Sequence, residues 1–287
     1  MPLRVVSWNI HQLDEPWRQL TSDPSLDIAL LQEARPPPAD VRYEVVPARG
    51  ANWKMPRYRR AFRTAVARLS DRVSMKERRV TALALSTELA ADEPAETHSL
   101  DIGVSVPGTL TVVDVTWGEE VFTCISAYAV WQNFVGAAKR PGIMADGSAH
   151  RIISDISTLI TSKERHRIIV AGDWNLLFGY GESGNEYWAG RYATVFARME
   201  ALGLRFAGPQ APHGRQAEPW PKELPKKSLN VPTFYHSRQK PATATRQLDY
   251  VFASESIANR LTVGALNDVS DWKLSDHCKV VIEVDDL

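Results

Sequence analysis

Five short motifs place polar or charged side chains at the edge of an apolar run: Trp8-Asn9-Ile10, Leu31-Gln32-Glu33, Gly172-Asp173-Trp174-Asn175, Gln247-Leu248-Asp249-Tyr250 and Ser275-Asp276-His277. The runs are six to eight residues long and rich in Val, Ile and Leu, which is strand length and strand composition. A strand that ends on a carboxylate or an amide carries that group to the rim of a sheet. Several such ends at one rim supply a set of oxygen ligands.

Leu3 to Ile10 and Asp27 to Glu33 read as strands, and Pro36-Pro37-Pro38 forbids continuation of the second. Tyr43 to Pro47 and Thr64 to Leu69 are shorter β candidates. Leu110 to Trp117 and Glu120 to Ala129 flank Gly118-Glu119 as a hairpin. Apolar residues at Ile152, Ile153, Ile156, Leu159 and Ile160 predict a helix over 147–161, starting near Ser148. A second amphipathic helix is expected from Tyr192 to Leu202, closed by Gly203. Arg167 to Gly172, Gln247 to Ala253 and Cys278 to Val284 complete the strands. Seven prolines between Pro209 and Pro241 make that stretch a long irregular loop, and loops of that length usually carry function. With no internal repeat and no linker, the pattern predicts one layered α/β domain over residues 1–287.

Hydrophobic residues at 44% and charged residues at 24% exclude the disordered, collagenous and coiled-coil classes. No apolar run reaches the about 18 residues needed to cross a bilayer. Met1 leads into Leu3–Ile10 without a basic region, so membrane insertion and secretion are not expected and a cytoplasmic location is. Cys124 and Cys278 lie inside apolar runs and read as buried thiols. The net charge of zero conceals an uneven distribution. Ten Lys or Arg face two acids between Lys54 and Arg79, and seven face two between Arg215 and Arg246. An anionic substrate has two basic stretches to meet.

Taken in order, the five motifs resemble the endonuclease/exonuclease/phosphatase superfamily, which includes abasic-site endonucleases, DNase I-like nucleases, inositol polyphosphate 5-phosphatases and sphingomyelinases. The resemblance runs from Val5 to Val284. Thr64 to Leu69 is similar to the family's strand after the metal-binding Glu, and Ile125-Ser126-Ala127-Tyr128 to its central strand bearing a Tyr or His. It implies a four-layer α/β sandwich, two packed mixed β-sheets flanked by helices, with the site on the rim where the strands end.

The resemblance further implies that Asn9 and Glu33 bind Mg²⁺, or Mn²⁺ in its place, with Glu33 as the principal ligand and Asp276 completing this shell or a second site. Asp173 would orient or deprotonate the attacking water, Asn175 would hydrogen-bond a phosphate oxygen, and Tyr128 would support the leaving oxygen or a phosphate. His277 would sit beside the scissile phosphate, paired with Asp249, which fixes its tautomer and favours its charged form. Both roles, base and protonated stabiliser, are open to His277. Trp174 stands where the family commonly has Phe or Leu and is expected to point into the core. His11 is a loop residue, solvated or reaching the rim; His150 and His166 read as structural; His236 is a substrate contact or an idle loop residue. Hydrolysing a phosphodiester calls for an aligned water and for neutralisation of the developing charge, which a metal, a histidine and an amide provide without a covalent intermediate.

A nuclease is the leading expectation. Arg57, Arg59, Arg60 and Arg63, interleaved with Tyr58 and Phe62, and the loop bearing Trp220, Lys222, Lys226 and Lys227 both flank rim strands, where the phosphates of a nucleic acid would pass. Asn185 is a further substrate-binding candidate. A phosphatase or phosphodiesterase for a small or lipid-linked phosphate is the alternative, because zero net charge is unusual for a strong duplex binder. An inactive binding module of the same fold is the third, and the complete set of Asn9, Glu33, Asp173, Asn175, Asp249 and His277 argues against it.

Overall fold

The computed structural model describes residues 1–48, 63–82, 102–131, 145–160 and 166–286. Its elements run β1 (Leu3–Asn9), α1 (Glu15–Thr21), β2 (Ile28–Ala34), β3 (Glu44–Pro47), β4 (Arg63–Arg68), β5 (Val73–Glu77), β6 (Val80–Ala82), β7 (Ile102–Val104), β8 (Leu110–Trp117), β9 (Glu120–Tyr128), α2 (Ala145–Ser157), β10 (Ile168–Asp173), α3 (Glu186–Ala201), β11 (Leu204–Gly208), β12 (Asp249–Ser254), β13 (Leu261–Leu266) and β14 (Lys279–Val284). Two six-stranded sheets result, in the orders β13-β14-β1-β2-β4-β3 and β11-β12-β10-β9-β8-β5, with β6 and β7 as a separate parallel pair. Both large sheets are mixed, since β1 pairs β2, and β10 pairs β9, in parallel while their other neighbours are antiparallel.

Alternation along each strand assigns the layers. In β1, Leu3 and Val5 face the second sheet and join Val113, Val115, Cys124, Ile169 and Val251 in the core between the sheets. Val6 and Trp8 face the other way and pack with Trp17 and Leu20 of α1. In the second sheet Ile168, Val170, Tyr250 and Phe252 meet α2 and α3 through Ile152, Ile156, Tyr192, Val195 and Met199. The order is helix, sheet, sheet, helices, the expected four-layer α/β sandwich. Because the central strands are buried on both faces, their sequences are continuous apolar runs.

The pairing pattern brings the polar ends together. β1 and β2 run parallel, so Asn9 and Gln32 end side by side; β10 and β9 run parallel, so Asp173 and Tyr128 do the same, and antiparallel β12 begins with Asp249 opposite Asp173. The two sheets are tied at this edge by polar contacts: Gln32 Nε2 donates to Ser126 Oγ (3.0 Å), and Ser126 Oγ to the Leu31 carbonyl (2.8 Å). Gly172, one residue before Asp173, lies against β9 so closely that a Cβ there would stand 1.8 Å from the Ala127 carbonyl oxygen. Backbone cannot swing aside as a side chain can. Gly172→Ala is therefore expected to destabilise the fold by about 3 kcal/mol or more, at or beyond the upper end for overpacking. A denaturant midpoint equal to the parent's would contradict that close approach.

Several elements differ from the sequence reading. α3 begins six residues before Tyr192, because Asn185 caps it with Oδ1 accepting from the backbone N–H of Tyr187 (2.9 Å) and Trp188 (3.3 Å). The strands β5, β11 and β13 and the seven-residue α1 were not expected. β5 and β13 are half-exposed, and β11 and β13 lie at sheet edges, where the apolar signal is diluted. Residues 209–240 contain no helix and no extended strand, as the prolines demand. Cys124 and Cys278 are free and buried, and Trp174 packs edge-on to Phe252 in the core. Among the described residues no helix is long and apolar enough to cross a membrane.

Candidate active site

Of the five described non-glycine residues with left-handed backbone, four lie at this rim: His11 (φ 48°), Gln12 (φ 60°), Glu33 (φ 47°) and Asn175 (φ 51°). Each such conformation costs about 1 kcal/mol or more for an L-residue, and strain of this kind gathers where side chains must be aimed rather than packed. At Glu33 it accompanies a shift in the register between β2 and β4, which turns the carboxylate towards β9.

Asp173, Asp249 and His277 form the buried centre. His277 Nδ1 lies 2.8 Å from Asp249 Oδ2, and its Nε2 lies 3.7 Å from Asp173 Oδ2. All three side chains are at least nine-tenths buried. Asp249 is fixed from behind, where Thr233 Oγ1 accepts its backbone N–H (3.1 Å), and the Phe234 ring covers the imidazole at 4.9 Å. Trp8 Nε1 donates to the His277 carbonyl (3.0 Å), and Ser275 Oγ donates to the Asn9 carbonyl (2.7 Å), locking the segment before β14 to the end of β1.

Burial pushes Asp173 above the usual carboxylate range, and the nearby Asp249 and Glu33 charges add to that, against the opposing pull of His277 and the Asn9 amide. Burial alone would lower His277, but the charges of Asp249 and Asp173 and the Asp249 hydrogen bond outweigh it and raise the imidazole from 6.5 to about 10. The imidazolium therefore stabilises the fold fully below pH 6.5, and that contribution is lost as pH rises towards about 10. In metal-free protein, an NMR titration of the His277 ring nitrogens is expected to find it protonated at pH 8, with Asp249→Asn bringing the transition down. A parent midpoint near 6.5 would overturn this.

Glu33 stands beside this centre and is held from three sides. Oε1 accepts from Tyr128 Oη (2.9 Å) and weakly from Asn9 Nδ2 (3.4 Å), and Oε2 accepts from Gln12 Nε2 (3.1 Å). Asn9 Nδ2 also donates to Asp173 Oδ2 at 3.0 Å, so one amide spans the gap between the sheets. Asp276 pairs with His11 Nδ1 at 3.2 Å. Burial pushes Asp276 up, but the His11 hydrogen bond and the His277 charge outweigh it and keep the carboxyl below its ordinary value. The hydrogen bond to Asp276 in turn raises His11.

The donor set suits a hard cation. Among the described residues no Lys or Arg pairs with Glu33, Asp173 or Asp249, and Asp249 Oδ1 is buried without a hydrogen-bond partner. Three carboxylates thus share one imidazolium, and oxygen ligands of this type fit Mg²⁺ or Mn²⁺. Polar atoms of Asp173, Asp249 and His277 lie within 4.8 Å of one another, and the protonated His277 serves there as a donor and not as a metal ligand. Asn9 and Glu33 are in contact through the Asn9 Nδ2, Asn9 Oδ1 accepts the His11 backbone N–H (3.0 Å), and Asp276 is engaged by His11.

Asn175 uses its amide differently from the expectation. Nδ2 donates to Asp173 Oδ2 (3.1 Å) and to the Ala129 carbonyl (3.2 Å), its backbone N–H donates to Asp173 Oδ1 (3.0 Å), and Oδ1 accepts from Trp131 Nε1 (2.9 Å). Both amide hydrogens already have acceptors, so in this arrangement Asn175 orients Asp173 rather than offering a free donor to phosphate. Tyr128 likewise directs its hydroxyl to Glu33. Asn185 caps α3, its Oδ1 taken by backbone. Arg57, Arg59 and Arg60 lie outside the described residues. Arg63 is buried, with Nη1 donating to the Ala48 carbonyl (2.5 Å), which corrects its expected place on an open phosphate track; burial pushes its pKa down. His166 and His150 contact Ser254 (2.6 Å) and Thr194 (3.0 Å) and are structural, and His236 is exposed. Gln12, Trp131, Thr233 and Phe234 were missed: each sits in a loop, and only the chain fold brings it to the rim.

No family model matches the sequence, and no curated protein matches it. Solved structures match over nearly the whole chain. The endonuclease domain of TRAS1, a telomere-specific non-LTR retrotransposon, has 15% identity, covers 99% of this chain and 98% of its own, and superposes with a TM-score of 0.59. AP endonuclease LMAP from Leishmania major has 16% identity, covering 100% of this chain and 88% of that one, with a TM-score of 0.61. The 3' phosphatase NExo from Neisseria, bound to product DNA hairpin, has 16% identity, 99% coverage of both chains and a TM-score of 0.55. From the two mixed six-stranded sheets, the flanking helices and these likenesses, the chain has the DNase I-like fold.

Proposed function

We propose that residues 1–287 form one catalytic domain, a divalent-metal-dependent phosphodiester hydrolase that cuts nucleic acid by direct attack of water. The observation that carries this reading is the buried row Asp249–His277–Asp173 with Glu33, in left-handed backbone, beside it, an acidic set where strands of both sheets end. The fold is shared with endonucleases, AP endonucleases and a 3' phosphatase, which supports the reaction class by analogy.

Asp173 is the base. Its raised pKa makes it a better proton acceptor than an exposed carboxylate, and the Asn9 and Asn175 amides, both donating to Oδ2, fix the orientation of the carboxylate. His277 stays charged through Asp249 and donates from Nε2 to the phosphate oxygen on which negative charge develops. Glu33 and Asn9 would hold Mg²⁺, and Tyr128 and Gln12 keep the Glu33 carboxylate pointed at that position. When bound, the cation supplies neutralisation of phosphate charge and a lowered pKa for bound water. Asp276 and His11 stand at the edge of the set, where Asp276 can join the metal shell.

The reading is tested with plasmid DNA, single-stranded DNA, RNA, an abasic duplex and a chromogenic phosphodiester, each in Mg²⁺. Cleavage of one or more of the nucleic acids, faster than the chromogenic ester, is the expected result. Hydrolysis of small phosphoesters with every nucleic acid left intact would replace the nuclease reading by the small-phosphate one.

A further inference from the structure

We propose that Trp131 is the stacking surface for an unpaired nucleobase next to the scissile phosphate, and that the same residue sets the orientation of Asn175. The inference rests on the nuclease reading above and names the form of nucleic acid that the site takes. Trp131 follows β9 by three residues. Trp131 is 41% exposed, whereas Tyr128 and Val130, just before it in the chain, are 5% exposed. The ring is exposed although it is anchored, because Nε1 donates to Asn175 Oδ1 at 2.9 Å. Indole is thereby held at the mouth of the site, three contacts from the imidazole: Trp131 to Asn175, Asn175 Nδ2 to Asp173 Oδ2 at 3.1 Å, and Asp173 Oδ2 to His277 Nε2 at 3.7 Å.

Two consequences follow from that placement. The first concerns the ring. An exposed, anchored aromatic face loses little conformational entropy on binding, and a base stacks on such a face at any sequence. In a duplex both faces of a base are covered by its neighbours, so only an unpaired or extruded nucleotide has a face to offer. The second concerns the N–H. Indole is a donor only, so Asn175 must present its oxygen to Trp131 and its nitrogen to Asp173. Turned end for end, the amide would set two donors against each other at Trp131 and an oxygen against the Asp173 carboxylate. Trp131 is thus a positioning residue for Asn175 and, through it, for the carboxylate that takes the proton.

Ring and N–H are separable by substitution. Trp131→Ala removes both, and Trp131→Phe keeps a ring and removes the donor. Steady-state kinetics in Mg²⁺ would use a single-stranded oligonucleotide, the same oligonucleotide with a tetrahydrofuran abasic residue beside the cut, and the fully paired duplex. Trp131→Ala is expected to raise KM for the base-bearing single strand by about tenfold or more, the effect of one lost stacked base, and to change KM for the abasic strand by far less. Trp131→Phe is expected to leave KM near the parent value and to lower kcat several-fold on both strands. The parent is expected to prefer the single strand over the duplex.

Equal KM changes on base-bearing and abasic strands would overturn the stacking role. A kcat for Trp131→Phe equal to the parent's would overturn the positioning role. A parent that cuts none of the three substrates overturns the inference about Trp131, and the nuclease reading falls as well only if plasmid, RNA and abasic duplex are also left intact. A parent that cuts them, with a Trp131→Ala variant that cuts identically, overturns only the inference about Trp131. Circular dichroism of each variant separates these outcomes from misfolding.

Discussion

Asp173→Asn and His277→Gln are each expected to lower turnover by roughly a thousandfold, with the fold intact, the size seen when a proton acceptor or a charge-stabilising donor is lost. Both changes nearly keep side-chain size at a buried position, so they remove charge without opening a large cavity, while the amide introduced by Asp173→Asn sets one N–H against the donors that Asp173 accepts. Because the two side chains share one task around Oδ2 and Nε2, at 3.7 Å, the double variant should be little worse than either single one. Asp249→Asn should cost less, since the imidazole remains in place under Phe234 while losing its principal charge partner. Single-turnover rates under saturating Mg²⁺ measure all four. A rate within a few-fold of the parent for either single variant removes that residue from the mechanism, and additive losses in the double variant would mean the two act separately.

Glu33→Gln is expected to weaken Mg²⁺ binding by on the order of tenfold or more, because an ionised carboxylate is lost from a site built of hard oxygen donors. The geometry adds a graded control. Tyr128→Phe and Gln12→Ala leave the Glu33 charge in place and remove the hydroxyl at 2.9 Å and the amide at 3.1 Å that aim it. Their losses in affinity should fall between those of the parent and Glu33→Gln, as is usual for groups that orient a ligand. Isothermal titration of each protein with Mg²⁺ gives the order. Parent-like affinity in Glu33→Gln would contradict the assignment of the metal to this side of the rim.

What could be read from the chain, and what could not, has a physical pattern. The central strands β1, β2, β10, β12 and β14 are covered on both faces, by the opposite sheet and by helices or loops, so every residue is under pressure to be apolar and each strand is visible as a run. Edge strand β13 has alternate residues in solvent and is hidden, as is α1, whose seven residues carry only Pro16, Trp17 and Leu20 into the core. The same contrast holds at the site. Asn9, Glu33, Asp173, Asp249 and His277 end or flank visible runs, which is why the sequence singles them out as candidates.

Their supports come from elsewhere in the chain. The Asn9 carbonyl accepts from Ser275, 266 residues away, and Trp131 reaches Asn175 across 44 residues. No local pattern encodes such pairings; they follow from the stacking of the sheets. Two expectations shifted for the same reason, contacts that only the folded chain makes. Arg63 looked like part of a basic face, but it opens a strand whose neighbours bury it. Asn175 looked like a free donor, but the indole N–H turns its amide towards Asp173.

The measurement that bears most directly on the central claim is cleavage of one end-labelled oligonucleotide by the purified chain in Mg²⁺, after removal of the cation by EDTA, and after its restoration, alongside Asp173→Asn. The account predicts cleavage in Mg²⁺, none in EDTA, recovery when the cation returns, and cleavage by the variant in Mg²⁺ slower than the parent's by roughly a thousandfold. Cleavage that persists in EDTA, or that Asp173→Asn retains at the parent's rate, would contradict it.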